Sequence, residues 1–193
     1  NEQIWDQIGL SSGESFAEAS HLVTYGQRTV DNRLAVGGRG APYLFGSLMR
    51  SAAENNSRIH DQIIAMVREW FPLLVNTQFT HRWGGAVSVS RDWQPFANFN
   101  KATGQAKAGG YVGDGVTLSY LAAKTLADLI LDNGSELTKL PFVNHSVPLW
   151  EPEPFRWVGV NSVVKLIGLA DREEAITNLP SLIAKALTRV TGN

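Results

Sequence analysis

Gly109-Gly110-Tyr111-Val112-Gly113-Asp114-Gly115-Val116 runs straight into an apolar-periodic segment that extends from Leu118 to Asp132. Within that segment Leu118, Leu121, Ala122, Leu126, Leu129 and Ile130 recur at helical spacing, and Asn133-Gly134 supplies a C-cap signal. The reading is a glycine-rich turn that feeds a helix. Glycines allow positive φ and close backbone approach, and the unpaired N–H groups of a helix start favour negative charge or an electron-rich carbonyl. The generic dinucleotide fingerprint Gly-x-Gly-x-x-Gly also needs a preceding βαβ strand and a third glycine. Neither is present in clear form, so the turn by itself also fits an ordinary strand-to-helix connection.

Upstream, Leu22 to Val30 and Arg33 to Gly38 are β-prone runs on either side of Asp31-Asn32, which predicts a hairpin. Ile59, Ile63, Met66, Val67, Trp70 and Phe71 form the apolar stripe of an amphipathic helix that stops before Pro72. Phe79 to Trp83 and Ala86 to Val89 read as strand flanking Gly84-Gly85. Pro95 to Asn98 and Gln105 to Ala108 bracket a turn at Lys101 to Gly104. Downstream, Leu140-Pro141-Phe142 and the stretch from Trp150 to Trp157 are rich in proline and aromatics and suit an extended arm. Two terminal helices are expected, at about Ser162 to Asp171 and at Pro180 to Val190. The fold class is α+β: a mixed, largely antiparallel sheet flanked by helices, with a C-terminal helical region.

With 193 residues, 44% of them hydrophobic, the chain can bury one sizeable core. A formal charge of -1, with no long run of like charge, gives no basis for a nucleic-acid groove. The absence of cysteine excludes disulfides, thiol catalysis and cysteine zinc sites within the chain and makes the cytoplasm the default expectation. No stretch approaches the roughly 18 apolar residues of a membrane span, so no membrane partner is expected. His21, His60, His81 and His145 are scattered without acidic neighbours at ligand spacing, so no metal site is expected. Asn1-Glu2-Gln3-Ile4-Trp5-Asp6 carries neither an initiating methionine nor a signal pattern, and a fragment is the expectation.

Three motifs carry a family resemblance. They are Arg82-Trp83-Gly84-Gly85, the glycine-rich turn with its helix, and the tail from Leu140-Pro141-Phe142 to Trp150-Glu151-Pro152-Glu153-Pro154. In order and spacing they resemble the C-terminal half of an FAD-dependent oxidoreductase of the D-amino acid oxidase superfamily, which includes sarcosine, glycine and γ-glutamylputrescine oxidases. Tyr25-Gly26-Gln27-Arg28 and Gly37-Gly38-Arg39-Gly40-Ala41-Pro42-Tyr43 further resemble a subgroup of amine or amino-acid oxidases.

The resemblance implies that residues 1–108 are substrate-domain sheet and helix, that 109–134 are the late piece of the flavin domain, and that 135–193 are an arm with helices. The N-terminal FAD-binding half would be a missing partner, and this chain alone would neither hold FAD tightly nor turn over. Gly110, Tyr111, Val112, Gly113, Asp114, Gly115 and Val116 would contact the flavin. Arg39, Tyr43 and Trp83 would face a small amine or amino-acid substrate. Each has a plainer alternative: Arg39 as a solvated arginine, Trp83 and His81 as packing residues, and Asp114 as a local acceptor at the helix start. No catalytic residue is assigned. The rival reading is a non-catalytic module that forms a homodimer or binds a partner through an exposed interface.

Overall fold

A computed structural model describes residues 2–38, 40 and 42–191. In chain order the elements are α1 (Glu2–Gln7), β1 (Ser15–Ala17), β2 (Thr24–Arg28), β3 (Leu34–Gly38), α2 (Ser51–Glu54), α3 (Ser57–Trp70), β4 (Phe96–Asn100), β5 (Gln105–Gly109), α4 (Gly115–Ile130), α5 (Phe155–Thr177) and α6 (Leu182–Thr191). The expected mixture of helices and antiparallel strands is what the chain forms. Its strands are divided between two sheets, ordered β1-β2-β3 and β4-β5. The chain also divides into two compact units, Asn1–Gly84 with Glu153–Asn193, and Gly85–Pro152. These boundaries differ from the expected divisions at 108 and 134.

In the first unit β2 and β3 form the expected hairpin, with Arg28 opposite Leu34. Asn32 takes the left-handed conformation at φ 60 that an Asp-Asn turn tolerates. The stripe of α3 covers this sheet: Ile64 and Val67 are buried, and the Asn56 side chain caps the helix by accepting from the Ile59 amide. Phe16 of β1 meets Trp70 and Phe71 edge-on, at 6.0 and 5.5 Å between ring centroids. Such pairs add about 0.5–1.5 kcal/mol each beyond their buried area. Helix α3 ends at Trp70, before Pro72 as anticipated.

Two expectations fail here and at the tail. Residues 79–89 contain no strand. Side chains hold this stretch in place of a ladder: the His60 imidazole meets the Trp83 carbonyl at 3.1 Å, Arg82 pairs with Asp61, and the Trp150 indole donates to the Val89 carbonyl. The arm does not reach Trp157 either, because α5 begins at Phe155 and runs 23 residues, well past the expected helix at both ends. Pro152 and Pro154 sit before or at the helix start, where a missing N–H does no harm.

The second unit is the β4-β5 hairpin with α4 across both strands. Asn98 stands opposite Lys107, and the Asn100 carboxamide closes the turn by accepting from Ala102 and Thr103. A short parallel bridge joins Ala97 to Val143. Helix α4 buries only Ala122 and Thr125 and ends on a left-handed Asp132, one residue before the anticipated Asn133-Gly134 signal. Among the described residues no helix is long and apolar enough to cross a membrane.

Candidate functional site

The turn between β5 and α4 combines three left-handed residues in four positions, Gly110 at φ 73, Val112 at φ 51 and Gly113 at φ 120. For glycine that conformation is free, whereas a β-branched valine there carries strain of about 1–3 kcal/mol. The turn has its own closure: the Asp114 amide donates to the Tyr111 carbonyl at 2.9 Å, and the Leu118 amide donates to the Asp114 carbonyl at 3.0 Å. That second bond is the first of the helix ladder. The amides of Gly115, Val116 and Thr117 therefore lie before any i→i−4 partner.

Nothing on the side-chain level fills this helix start. Asp114 is the N-cap residue, yet its carboxylate makes no capping bond, contrary to the expectation that it would accept N–H bonds there. Its φ of -89 and ψ of 26 depart from the extended backbone from which an N-cap side chain reaches the first-turn amides. No acidic residue follows within the first turn, so the carboxylate at the positive end of the helix dipole is that of Asp114, which makes no bond to the first-turn amides. Val116 is 92% exposed. Because the Asp114 amide is engaged within the turn, outward donation falls to Gly115, Val116 and Thr117.

The glycines divide by cause. A Cβ at Gly110 would stand 2.5 Å from the Gln94 carbonyl oxygen, so that position is glycine for the chain's own packing. At Gly115 a Cβ would meet nothing closer than Tyr111 Cδ2 at 3.9 Å. Its bareness is therefore not required by any close contact among the described residues. The set of three free amides suits a negatively charged or carbonyl-bearing ring edge, which is the chemistry of a flavin's pyrimidine side.

The other expected site residues lie in the first unit, apart from Arg39, which lies outside the described residues. Tyr43 directs its hydroxyl to the Glu153 carboxylate at 2.7 Å, and the Arg156 guanidinium stands 5.4 Å from its ring centroid. Glu153 also accepts from the Gly46 amide, the Arg156 guanidinium and the Trp157 amide. Partial burial raises the pKa of this carboxyl, and the four sets of donors outweigh it, lowering the pKa from 4.5 to about 2. Trp83 is 69% exposed and is no core residue.

Two histidines have acidic partners that the sequence did not reveal. His21 meets Glu174 at 3.2 Å, and His145 meets Asp92 at 2.6 Å. Burial opposes the Asp92 charge, but hydrogen bonds from His145 and the Gln94 amide prevail and hold its carboxyl below the usual range. Partners 153 and 53 residues apart leave no local signal, which is why these pairs could not be read from spacing. Among the described residues no group of three or more His, Cys, Asp or Glu could hold a metal ion.

Comparison with known proteins bears on the same residues. A probable oxidoreductase, OrdL, of Rhizobium meliloti (strain 1021) is 34% identical over 131 residues. That match covers 68% of this chain and 28% of the relative, so the chain spans little more than a quarter of the protein it resembles. No solved structure matches the chain. The family model described as DAO, FAD dependent oxidoreductase, matches residues 4–129, which include the glycine-rich turn and nearly all of α4. The chain belongs to the FAD-dependent oxidoreductase family.

Proposed function

We propose that this chain forms the substrate-side and late flavin-contacting part of an FAD-dependent amine or amino-acid oxidoreductase, with the start of α4 facing the flavin. The observation that carries this reading is the uncapped helix start at Gly115, where three amides lack an i→i−4 partner and a Cβ would meet nothing closer than Tyr111 at 3.9 Å. When bound, FAD would supply a hydride acceptor at N5 and, once reduced, negative charge near N1 and the C2 carbonyl. The amides of Gly115, Val116 and Thr117 would meet that charge with fixed donors that need no titration. Gly110 and Gly113 hold the turn that aims them. The substrate would be a small amine or amino acid in a cytoplasmic setting, and tight FAD binding would need the FAD-binding half that OrdL-like relatives have room for.

Ultraviolet-visible spectra with and without added FAD test the reading, on this chain and on the full-length protein. Flavin bands in the full-length protein that weaken in a Gly115→Leu variant support it. A colourless full-length protein, or one indifferent to Gly115→Leu, overturns it.

A second reading has one observation in its favour. Phe155, Val158, Leu166, Leu169 and Ile176 are exposed along α5, an apolar stripe of the kind that drives association. A chain that is dimeric by light scattering and stays colourless at full length would favour a non-catalytic interaction module.

A further inference from the structure

Gly110 does not set its own position. Its α-carbon is pressed against the loop 90–95 so closely that a Cβ would lie 2.5 Å from the Gln94 carbonyl oxygen, 3.1 Å from Ser90 Oγ and 3.3 Å from Pro95 Cα. The glycine turn therefore rests on that loop, and whatever fixes the loop fixes the turn.

The loop is fixed by a short chain of bonds. Buried Ser90 donates its hydroxyl to the Gln94 carbonyl at 2.7 Å, and the Trp93 amide donates to the Ser90 carbonyl at 3.1 Å. Trp93 is left-handed at φ 58, an unfavourable conformation for an aromatic residue that its surroundings must impose. Asp92 divides its carboxylate: Oδ1 accepts from the Gln94 amide at 3.2 Å, and Oδ2 meets His145 Nε2 at 2.6 Å. His145 is itself tied to the hairpin, because its carbonyl accepts from the Asn98 side chain at 2.9 Å and the preceding Asn144 amide donates to the Ala97 carbonyl. Arg91 and Glu151 pair with each other, and Lys107 lies over the Phe96 ring, so these nearby charges have partners of their own.

We propose that His145, acting through Asp92, is a positioning residue for the glycine turn: the pair anchors the 90–95 loop to β4, and the Gln94 carbonyl then sets where Gly110 and the amides beyond it stand. The consequence for flavin contact rests on the function proposed above, whereas the anchoring itself does not. A charge-assisted bond between half-buried partners is stronger than a neutral one, and removing one member leaves the other unsatisfied.

The test is hydrogen exchange read by mass spectrometry on the full-length protein, with FAD affinity measured alongside. His145→Ala is expected to speed exchange about tenfold in both 90–95 and 109–116 and to weaken FAD binding, as loss of such a bond does. His145→Gln, whose amide nitrogen can reach the Nε2 position, should restore both. Lys139→Ala, which removes an exposed pair with Glu136 in the same unit, should change neither. If His145→Ala does not fold, Asp92→Asn replaces it, since it keeps an oxygen for the Gln94 amide and loses the charge. Faster exchange confined to 90–95, with 109–116 unmoved, overturns the proposal. Faster exchange in 109–116 with FAD affinity unchanged upholds the positioning and overturns the flavin reading instead.

Discussion

Two helices of this chain begin in opposite ways. At the start of α5, Glu153 accepts from the Trp157 amide and gathers the Tyr43 hydroxyl, the Gly46 amide and the Arg156 guanidinium around one carboxylate that is 15% exposed. At the start of α4 the N-cap residue is also an acid, Asp114, but its carboxylate makes no capping bond and leaves the first amides open. The same physics, free amides and a positive dipole end, acts at both. At α5 the chain's own carboxylate satisfies an amide, whereas at α4 it does not. The open start of α4 forgoes roughly 0.5–2 kcal/mol that a capping bond adds, which is reasonable if something outside the chain accepts from those amides.

Filling or emptying these two starts separates the roles. The largest expected loss comes from Gly110→Val, which meets the Gln94 carbonyl and takes an unfavourable φ: destabilisation of about 2–4 kcal/mol by denaturant unfolding, together with loss of FAD binding. A stable Gly110→Val protein would break the idea that this turn is built on the loop beneath it.

Glu153→Gln removes the charge from α5 and should lower Tm at neutral pH. The native carboxyl has its pKa lowered from 4.5 to about 2, so its contribution is fully present above pH 4.5 and is lost as pH falls towards 2. The wild-type and Gln curves of Tm against pH should therefore converge over that interval. Parallel curves would show that the charge is not what holds Tyr43 and Gly46.

Gly115→Leu carries the sharpest contrast, because its stability change should stay within about 1 kcal/mol and favour the folded state, as expected for replacing glycine in a helix. FAD affinity of the full-length protein should nevertheless fall at least about tenfold, a loss of roughly 1.4 kcal/mol. The smallest effect belongs to Val116→Glu: an acid in the first turn of α4 should stabilise the chain by about 0.3–1 kcal/mol and weaken FAD binding. If either variant binds FAD as the wild type does, the difference between the two helix starts has no functional meaning.

What could be read in advance follows the range of the forces involved. The β2-β3 and β4-β5 hairpins, the stripe of α3 and the turn into α4 rest on neighbours within a few residues, and all were legible. Residues 79–89 have strand-like composition but find no partner strand, and a ladder is a long-range property. Helix α5 spreads polar residues such as Arg156, Asn161, Lys165, Asp171 and Glu174 around its circumference among the apolar ones, so no clear 3.6-residue period marked Phe155 to Trp157 as helix. The site divides along the same line. Gly110 to Val116 stood out as a motif, whereas the support from Ser90, Asp92 and His145, and the caging of Tyr43 by Glu153, exist only once distant segments meet.

The residues that helix α4 buries fully are small. Its buried residues are Ala122 and Thr125, the latter with its hydroxyl turned back to the Leu121 carbonyl, and Ala97 is buried on β4. Sixteen residues make a rod about 24 Å long, at roughly 1.5 Å per residue, with these buried residues near its middle. A single added methylene at Ala122 would tilt the rod and carry its free amides sideways at the far end. A buried residue well inside α4 thus bears on where its first-turn amides stand.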